Sequence, residues 1–420
     1  MKAILVGVKL DNISLSEFDA EMEELKNLAI ACDIETIDIV KQNLESFHPV
    51  TYVGKGKVEE IKMISESSEA EVVVFNDELT PIQISNLQEK LGLLIYDRTY
   101  LILEIFKSRA KTREAIIQVE IASLNYMLPR LVGLRQGLSR QRGAGGGFAH
   151  GRGAGESKLE LDRRINKDRI TALKRELNEL AKVRKVQREK RKKNELPTVC
   201  LVGYTNSGKS TLMNRLLSKS NSSEDKKVFQ KDMLFATLET SSRKIELQEG
   251  KFLLTDTVGF IEKLPHNLIE AFKSTLEEIK EANLIIHVVD GSNEKYLNQI
   301  SATSKVLEEL GVNNIKVLYV FNKIDKVTGY LYIPNEFPNA VRVSALNDIN
   351  IDYLVKEILN NIYEEYIYTE FLIPYDNENV VYKIREQSIF MEKEYLDNNI
   401  LVKCKTSKYI IDKYKEYIKI

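Results

Sequence analysis

The chain has no tryptophan, three cysteines and four histidines among its 420 residues, and each scarcity removes a class of chemistry. Cys32, Cys200 and Cys404 lie far apart, and Cys200 sits inside an apolar strand pattern, so neither a disulfide framework nor a zinc site can be built from them. His48, His150, His266 and His287 are equally scattered, which argues against a histidine-centred metal site or nucleophile. Long apolar runs are missing too. The longest, such as residues 284–289, are strand-length and fall far short of the roughly 20 residues that cross a bilayer. Residues 1–10 read as a first strand, without the layout of a signal peptide. These absences predict a chain with no membrane span, housed in a reducing cytoplasm. The formal net charge is −1, yet Lys and Arg concentrate between residues 158 and 193.

What is present exceeds one ordinary core, and two to four domains are expected from the length. Residues 1–108 alternate strand-like runs (3–8, 34–40, 71–75, 93–96) with helical patterns (14–30, 57–65, 81–91), an order that predicts a small parallel sheet. A helix over about residues 100–128 follows, closed by Pro129. Residues 135–155 are dense in glycine and arginine, can bury almost nothing and read as a loop. Beyond them Leu159, Ile165, Ile170, Leu173, Leu177 and Leu180 form a stripe at helical spacing. It predicts a second helix packed antiparallel on the first, with the glycine-rich loop at the tip of the hairpin. Pro197 opens another strand-loop-helix region. Residues 367–420 mix strand-like runs (380–384, 400–403) with a basic terminal helix.

Chemistry concentrates between residues 198 and 346. An apolar strand, Thr198–Val202, runs directly into Gly203-Tyr204-Thr205-Asn206-Ser207-Gly208-Lys209-Ser210, and a helical pattern starts at Thr211. This is the GxxxxGK[ST] phosphate loop in the strand-to-helix context it requires. Backbone N–H groups at a helix N-terminus supply oriented partial positive charge, and glycine lets the backbone approach phosphate closely. Lys209 would reach the β- and γ-phosphate oxygens, and Ser210 offers a hydroxyl to Mg²⁺. Asp256-Thr257-Val258-Gly259 follows the run 251–255, where a carboxylate can hold Mg²⁺ through water and the glycine N–H can sense the γ-phosphate.

Asn322-Lys323-Ile324-Asp325 selects the base. Asp325 can accept both N1–H and N2–H of guanine, whereas adenine would leave the carboxylate desolvated and unpaired. Sites that read polar edges in this way discriminate by about 10⁴ to 10⁵. Ser344-Ala345-Leu346, after the run 340–343, can add a backbone N–H to guanine O6. Between the first two motifs lies Phe235-Ala236-Thr237-Leu238, whose Thr237 would complete the Mg²⁺ shell only with the γ-phosphate present. Thr240 competes for that role. The reading is a GTP-hydrolysing enzyme with Mg²⁺ held by Ser210 and Thr237. Phe260 stands directly after Gly259, where many GTPases carry a glutamine to orient the attacking water. Phenylalanine cannot hydrogen-bond water, so intrinsic hydrolysis is expected to be slow and no catalytic base can be named. The alternative is that Phe260 packs and another side chain acts.

The fold class expected is α/β: a P-loop GTPase domain, preceded by a small parallel α/β domain and a helical hairpin, and followed by a small α+β domain. The boundaries are 1–108, 109–195 with the loop at 135–155, 196–365 and 366–420.

With these residues in hand the chain resembles the HflX family of ribosome-associated GTPases. The likeness covers nearly the whole chain. It runs through Tyr52-Val53-Gly54-Lys55-Gly56-Lys57, Asp97-Arg98-Thr99, the glycine-rich segment 142–156, Phe235-Ala236-Thr237-Leu238 and Asp256-Thr257-Val258-Gly259-Phe260. Members of the family often carry Asp-Pro or Asp-Thr where this chain has Glu239-Thr240. The resemblance implies binding to the large ribosomal subunit and its rRNA, with a role in splitting or rescuing stalled ribosomes or in subunit biogenesis. A monomer is expected. Arg142, Phe148, His150 and Arg152 lie in the glycine-rich segment, and flexible arginine-rich segments commonly order on RNA, with aromatics stacking on bases. The basic run 182–193 would extend a phosphate-binding face. Two rival readings stand beside this one: a GTPase of another cytosolic pathway, and an RNA-remodelling protein whose amino-terminal region works with ATP through Gly54-Lys55-Gly56-Lys57.

Overall fold

The computed structural model describes residues 1–141, 152–193, 196–220, 241–247, 249–257, 259–261, 263, 277–312, 314–337 and 339–419. Of residues 131–141, 152–159, 183–193, 277, 278 and 390 it describes the backbone alone. The chain divides into two units, the first built mainly from residues 1–181 and the second mainly from residues 182–420.

In the first unit, β1 (Lys2–Leu10), β2 (Glu35–Leu44), β3 (Val72–Phe75) and β4 (Leu94–Asp97) form a wholly parallel sheet in the order β2-β1-β3-β4. Its central strands are continuous apolar runs, Ala3 to Val6 and Val72 to Phe75, buried throughout. Such runs belong to a sheet covered on both faces. The covering helices begin where local chemistry allows. Capping boxes start α1 (Leu15–Ala31) at Ser14 and Glu17, and α3 (Pro81–Leu91) at Thr80 and Gln83. Between them, α2 (Lys55–Ser68) follows Gly54, whose N–H is taken by Gln42 Oε1 at 3.0 Å, and Lys57 pairs with Glu60 at 2.7 Å. Gly54-Lys55-Gly56-Lys57 therefore has the bonding of an ordinary turn.

Asp97 ends β4 and caps α4 (Arg98–Arg109), accepting the Tyr100 N–H at 2.9 Å. The single helix expected over residues 100–128 is two helices here, because α4 stops and α5 (Arg113–Gln141) begins after a short break. Nor does Pro129 close the helix: it lies inside α5. A proline in a helix interior costs about 3 kcal/mol, and the residue after it supplies bonds that offset this. Buried Arg130 donates to the carbonyls of Tyr126 (2.7 Å) and Leu79 (2.9 Å) and to Asp97 Oδ2 (3.2 Å). Its guanidinium lies over the Tyr126 ring, and the Tyr126 hydroxyl donates to Asp97 Oδ1 at 2.8 Å.

The second long helix, α6 (Arg152–Lys193), packs antiparallel on α5 as expected, but residues 135–141 and 152–155, expected as part of the loop, lie in α5 and α6, because a helix already started extends at little cost through residues that bury nothing. Arg113 pairs with Glu176 and Arg169 with Glu120, while Ile117, Ile121, Ile170 and Leu173 form the seam, flanked by Leu177 and Leu180. Ile165 does not join it and is 54% exposed. Five residues before Ile170, it is turned by about 140° from that position. The side chain of Leu159 lies outside the described residues.

The second unit contains β5 (Thr198–Val202), β6 (Ser241–Leu247), β7 (Gly250–Asp256), β8 (Leu284–Asp290), β9 (Lys316–Asn322) and β10 (Val341–Arg342) in the order β10-β9-β8-β5-β7-β6. All neighbours are parallel except β6 and β7. Helices α7 (Lys209–Lys219), α8 (Tyr296–Glu309) and α9 (Ile351–Ile362) accompany this sheet. Leu212, Leu216, Leu354 and Ile358 pack from α7 and α9 on Val199, Leu201, Ile286 and Val288. This brings the strand ends that carry the nucleotide motifs to one edge, the usual ligand edge of an open parallel sheet.

A separate antiparallel sheet, β11-β13-β12, consists of β11 (Ile367–Pro374), β12 (Ile389–Tyr395) and β13 (Asn399–Thr406), with α10 (Glu378–Gln387) and α11 (Lys408–Lys413). The strand expected at 380–384 is part of α10. Val380, Val381 and Ile384 are buried on one helical face, a spacing that a short apolar run hides. The α/β class holds, with the small α+β sheet at the end.

Asp97 and Arg130 make a checkable pair. Removing the carboxylate with Asp97→Ala leaves the buried Arg130 guanidinium with only the half-exposed Glu78, at 3.3 Å, as its counter-charge. Losing a buried partner outright costs about 3 to 5 kcal/mol, and Glu78 brings the expected cost toward or below the low end of that range. Amide exchange in β4 and α5 should accelerate accordingly. Protection equal to that of the unmodified chain would show that the pair contributes nothing.

Candidate nucleotide site

Two glycines set the phosphate loop. Gly203 (φ 148°) and Gly208 (φ 93°) adopt backbone angles that side chains disfavour, and a Cβ would run into the Val288 carbonyl at the first and the Asn322 carboxamide at the second. Asn206 (φ 60°) takes the left-handed conformation that asparagine tolerates, and its side chain is exposed. Tyr204 is buried, and Thr211 is half-buried in the first turn of α7. Thr205 Oγ1 and Ser207 Oγ are buried without a hydrogen-bond partner among the described residues. Buried hydroxyls are normally satisfied, and phosphate oxygens in this loop would satisfy them.

Lys209 folds back across the loop. Its Nζ donates to the carbonyls of Gly203 at 3.0 Å and Tyr204 at 2.7 Å. Burial pulls its pKa down to about 8, opposed by nearby Asp256, with Lys323 adding to the depression. The Ser210 hydroxyl donates to Asp256 Oδ2 at 2.8 Å. A hydroxyl and a carboxylate are the hard oxygen donors that Mg²⁺ takes, so these residues fit the ion. Thr257 serves differently: its hydroxyl donates to the Leu201 carbonyl at 2.7 Å, which pins the start of the segment to β5. Gly259 lies close to Thr205 and to Lys209 Nζ.

Phe260 is buried, and its backbone forms a short parallel ladder with the phosphate loop. Its carbonyl accepts the Thr205 N–H at 2.7 Å, and its N–H donates to Gly203 O at 3.1 Å. His287, on β8, is buried, and burial with Lys209 nearby pulls its pKa down to about 3. It is therefore neutral at physiological pH and packs near the Tyr319 ring.

Asn322 joins the two halves of the site. Its Nδ2 donates to the Ser207 carbonyl at 3.0 Å, and its Oδ1 accepts the Ala345 N–H at 3.0 Å. Asp325 is exposed on the turn Ile324–Lys326, where its carboxylate is accessible to a base. Ser344 is buried, its N–H held by the Ile349 carbonyl and its hydroxyl accepting the Asn347 N–H. Lys323 has φ 61° and an ion pair at 2.8 Å with Asp290, whose other oxygen accepts the Ser292 N–H and hydroxyl. The motifs do not single out Asp290. The signal for it was a carboxylate at a strand end followed by Gly291 and Ser292.

Phe235, Ala236, Thr237, Leu238, Thr240, Val258, Arg142, Phe148 and His150 lie outside the described residues, as does the side chain of Arg152, the first residue of α6. Among the described residues there is no cluster of three or more His, Cys, Asp or Glu able to hold a metal, and no helix long and apolar enough to cross a membrane.

The Lys209 environment sets a pH dependence. Bound phosphates favour the ammonium, so above pH 8 the nucleotide complex holds a proton that the free protein has lost. Affinity is then full below about pH 8 and falls as pH rises through it. GDP should bind about sevenfold more weakly at pH 8.8 than at pH 7, by linkage. Titration calorimetry that finds equal affinities would show that Lys209 keeps its proton throughout.

Three families match successive parts of the chain: GTP-binding GTPase N-terminal over residues 19–107, GTP-binding GTPase Middle Region over 109–191, and 50S ribosome-binding GTPase over 198–323. The GTPase HflX of Caldanaerobacter subterraneus subsp. tengcongensis is 43% identical over 418 residues, covering 99% of this chain and 94% of that protein. The GTPase HflX of Escherichia coli (strain K12) is 36% identical over 397 residues, covering 93% of this chain and 90% of that protein. Among solved structures, a GTP-binding protein from Sulfolobus solfataricus in complex with GDP shares 25% identity, with coverage of 87% of this chain and 99% of that one and a TM-score of 0.45. The phosphate loop and the full-length likeness to these two HflX GTPases agree: the chain belongs to the HflX family of GTPases and hydrolyses GTP.

Proposed function

We propose that this GTPase is a cytoplasmic switch that binds the large ribosomal subunit and acts on ribosomes, in splitting, rescue or subunit biogenesis. The observation that carries the nucleotide part of the reading is the Asn322 carboxamide, which bonds the phosphate loop and the loop after β10 at once. The match of residues 198–323 to a family described as 50S ribosome-binding supports the choice of partner. In this reading residues 196–365 are the switch, 1–108 and 109–195 present the RNA-contacting hairpin, and 366–420 form an appended domain. The protein works as a monomer.

Gly203, Tyr204, Thr205, Asn206, Ser207, Gly208, Lys209, Ser210 and Thr211 cradle the phosphates. Ser210, Thr237 and Asp256 would hold Mg²⁺, which when bound would supply charge neutralisation for the β- and γ-phosphate oxygens. Asp325 reads N1–H and N2–H of guanine. With the Phe260 ring packed away and its backbone tied to Gly203 and Thr205, that residue cannot orient water. Intrinsic hydrolysis is slow, and the ribosome accelerates it by placing water or reordering residues 235–240; an arginine supplied in trans gives about 10³ to 10⁵ in related enzymes. Arg142, Phe148, His150 and Arg152 contact rRNA, backed by the basic run 182–193.

Base choice is tested with Asp325→Asn, which should weaken GTP binding and admit xanthosine nucleotides. An unchanged preference refutes the assignment of Asp325. Partner choice is tested by sedimentation with purified ribosomal subunits and a non-hydrolysable GTP analogue. Failure to travel with the large subunit would sink the ribosomal reading. Deleting residues 143–155 should preserve GTP binding and abolish ribosome-stimulated hydrolysis, so stimulation that survives would reduce the segment to a linker.

A further inference from the structure

Helix α7 opens at the phosphate loop, but one of its later side chains turns toward the loop that follows β10. Arg215 Nε donates to the Ala345 carbonyl at 3.0 Å, and Nη2 donates to the Leu346 carbonyl at 2.6 Å. Asp348 (φ 60°) lies 3.7 Å from the same guanidinium, and Lys219 holds Asp348 at 3.2 Å and Asp352 at 3.0 Å. Two carbonyls held by one planar fork is a geometry that arginine offers and lysine does not.

Of the six loop amides from Ser344 to Ile349, four are in use, and those of Leu346 and Asp348 have no intramolecular partner among the described residues. Ser344 N–H donates to Ile349 O at 3.1 Å, Ala345 N–H to Asn322 Oδ1 at 3.0 Å, and Asn347 N–H to Ser344 Oγ at 3.1 Å. The Leu346 N–H has no intramolecular partner among the described residues, and Leu346 is 65% exposed. That N–H belongs to the same peptide unit as the Ala345 carbonyl. Because a peptide unit is planar, its C=O and N–H point in opposite directions. Holding the carbonyl from outside fixes where the N–H points.

We propose that Arg215 is a positioning residue for base recognition, aiming the Leu346 N–H at the 6-oxo group of guanine. It acts through the peptide and does not touch the nucleotide. The proposal rests on the reading of Asn322-Lys323-Ile324-Asp325 and Ser344-Ala345-Leu346 as the base loops.

The test uses the full-length chain and two ligands, GDP and 6-thio-GDP. The second keeps the N1–H and N2 donors but replaces O6 with a weakly accepting sulfur. The unmodified protein should prefer GDP by about five- to tenfold, the worth of one such hydrogen bond. Arg215→Ala should weaken GDP by about that factor and leave 6-thio-GDP unchanged, bringing the ratio close to one. Arg215→Lys, able to hold one carbonyl, should fall between. A ratio of one in the unmodified protein, or equal weakening of both ligands in Arg215→Ala, overturns the proposal. Asp325→Asn in the same assay separates the two failures. If it leaves base choice unchanged, the reading of the base loops has failed. If it alters base choice while Arg215→Ala keeps the GDP preference, the role of Arg215 alone has failed.

Discussion

One buried carboxamide holds the nucleotide site together. The phosphate loop leaves β5, and the turns proposed to read the base leave β9 and β10, so these parts come from distant stretches of sequence. The parallel sheet brings their strand ends to one edge, but a sheet edge fixes position only to within the freedom of its loops. Asn322 removes that freedom by donating to the Ser207 carbonyl and accepting the Ala345 N–H. Each bond is worth about 1 kcal/mol net, while a buried amide left without partners costs about 1 to 3 kcal/mol. The Asp290 pair with Lys323 braces the same turn from the β8 side. In the proposed reading, phosphate and base are recognised by one connected framework.

Most of this framework was legible in the residues, because the phosphate loop, Asp256, the Asn322 turn and Ser344 each sit at a strand end in the order the sheet requires. The parallel sheet of the first unit was legible for a related reason: its central strands β1 and β3 are apolar runs, and α1 and α3 begin at capping boxes. What escaped was tertiary. Pro129 reads as a helix stop until Arg130 is seen bonded to Asp97, Leu79 and Tyr126. Val380, Val381 and Ile384 read as a strand until the neighbouring sheet buries them as one face of α10. Ile165 fits a list of apolar positions but is turned away from the seam it was expected to join. Asp290 and Arg215 belong to no motif, since each acts by bonding a loop that comes from another part of the chain.

The segment after Asp256 is tethered at two points before it leaves the site. Thr257 bonds the Leu201 carbonyl, and Phe260 exchanges backbone bonds with Gly203 and Thr205. Lys209 meanwhile spends its ammonium on the carbonyls of the same loop. Phosphates arriving in the cradle would compete for Lys209 and for the buried hydroxyls of Thr205 and Ser207, and so would perturb the loop to which Phe260 is tied. Binding and the disposition of the residue after Gly259 are linked through these shared backbone groups.

The Arg130 cluster also has a mechanical meaning. From Arg130, α5 continues for another eleven residues to Gln141, about 16 Å of helix. At the near end, one guanidinium is bolted to the end of β4 through Asp97 and to the Leu79 carbonyl. A helix is stiff over that length, so a sideways load on its far end acts as torque about a fulcrum at Tyr126 and Arg130. The strain would be felt first in Asp97 and β4, which makes the parallel sheet the abutment against which the hairpin can push.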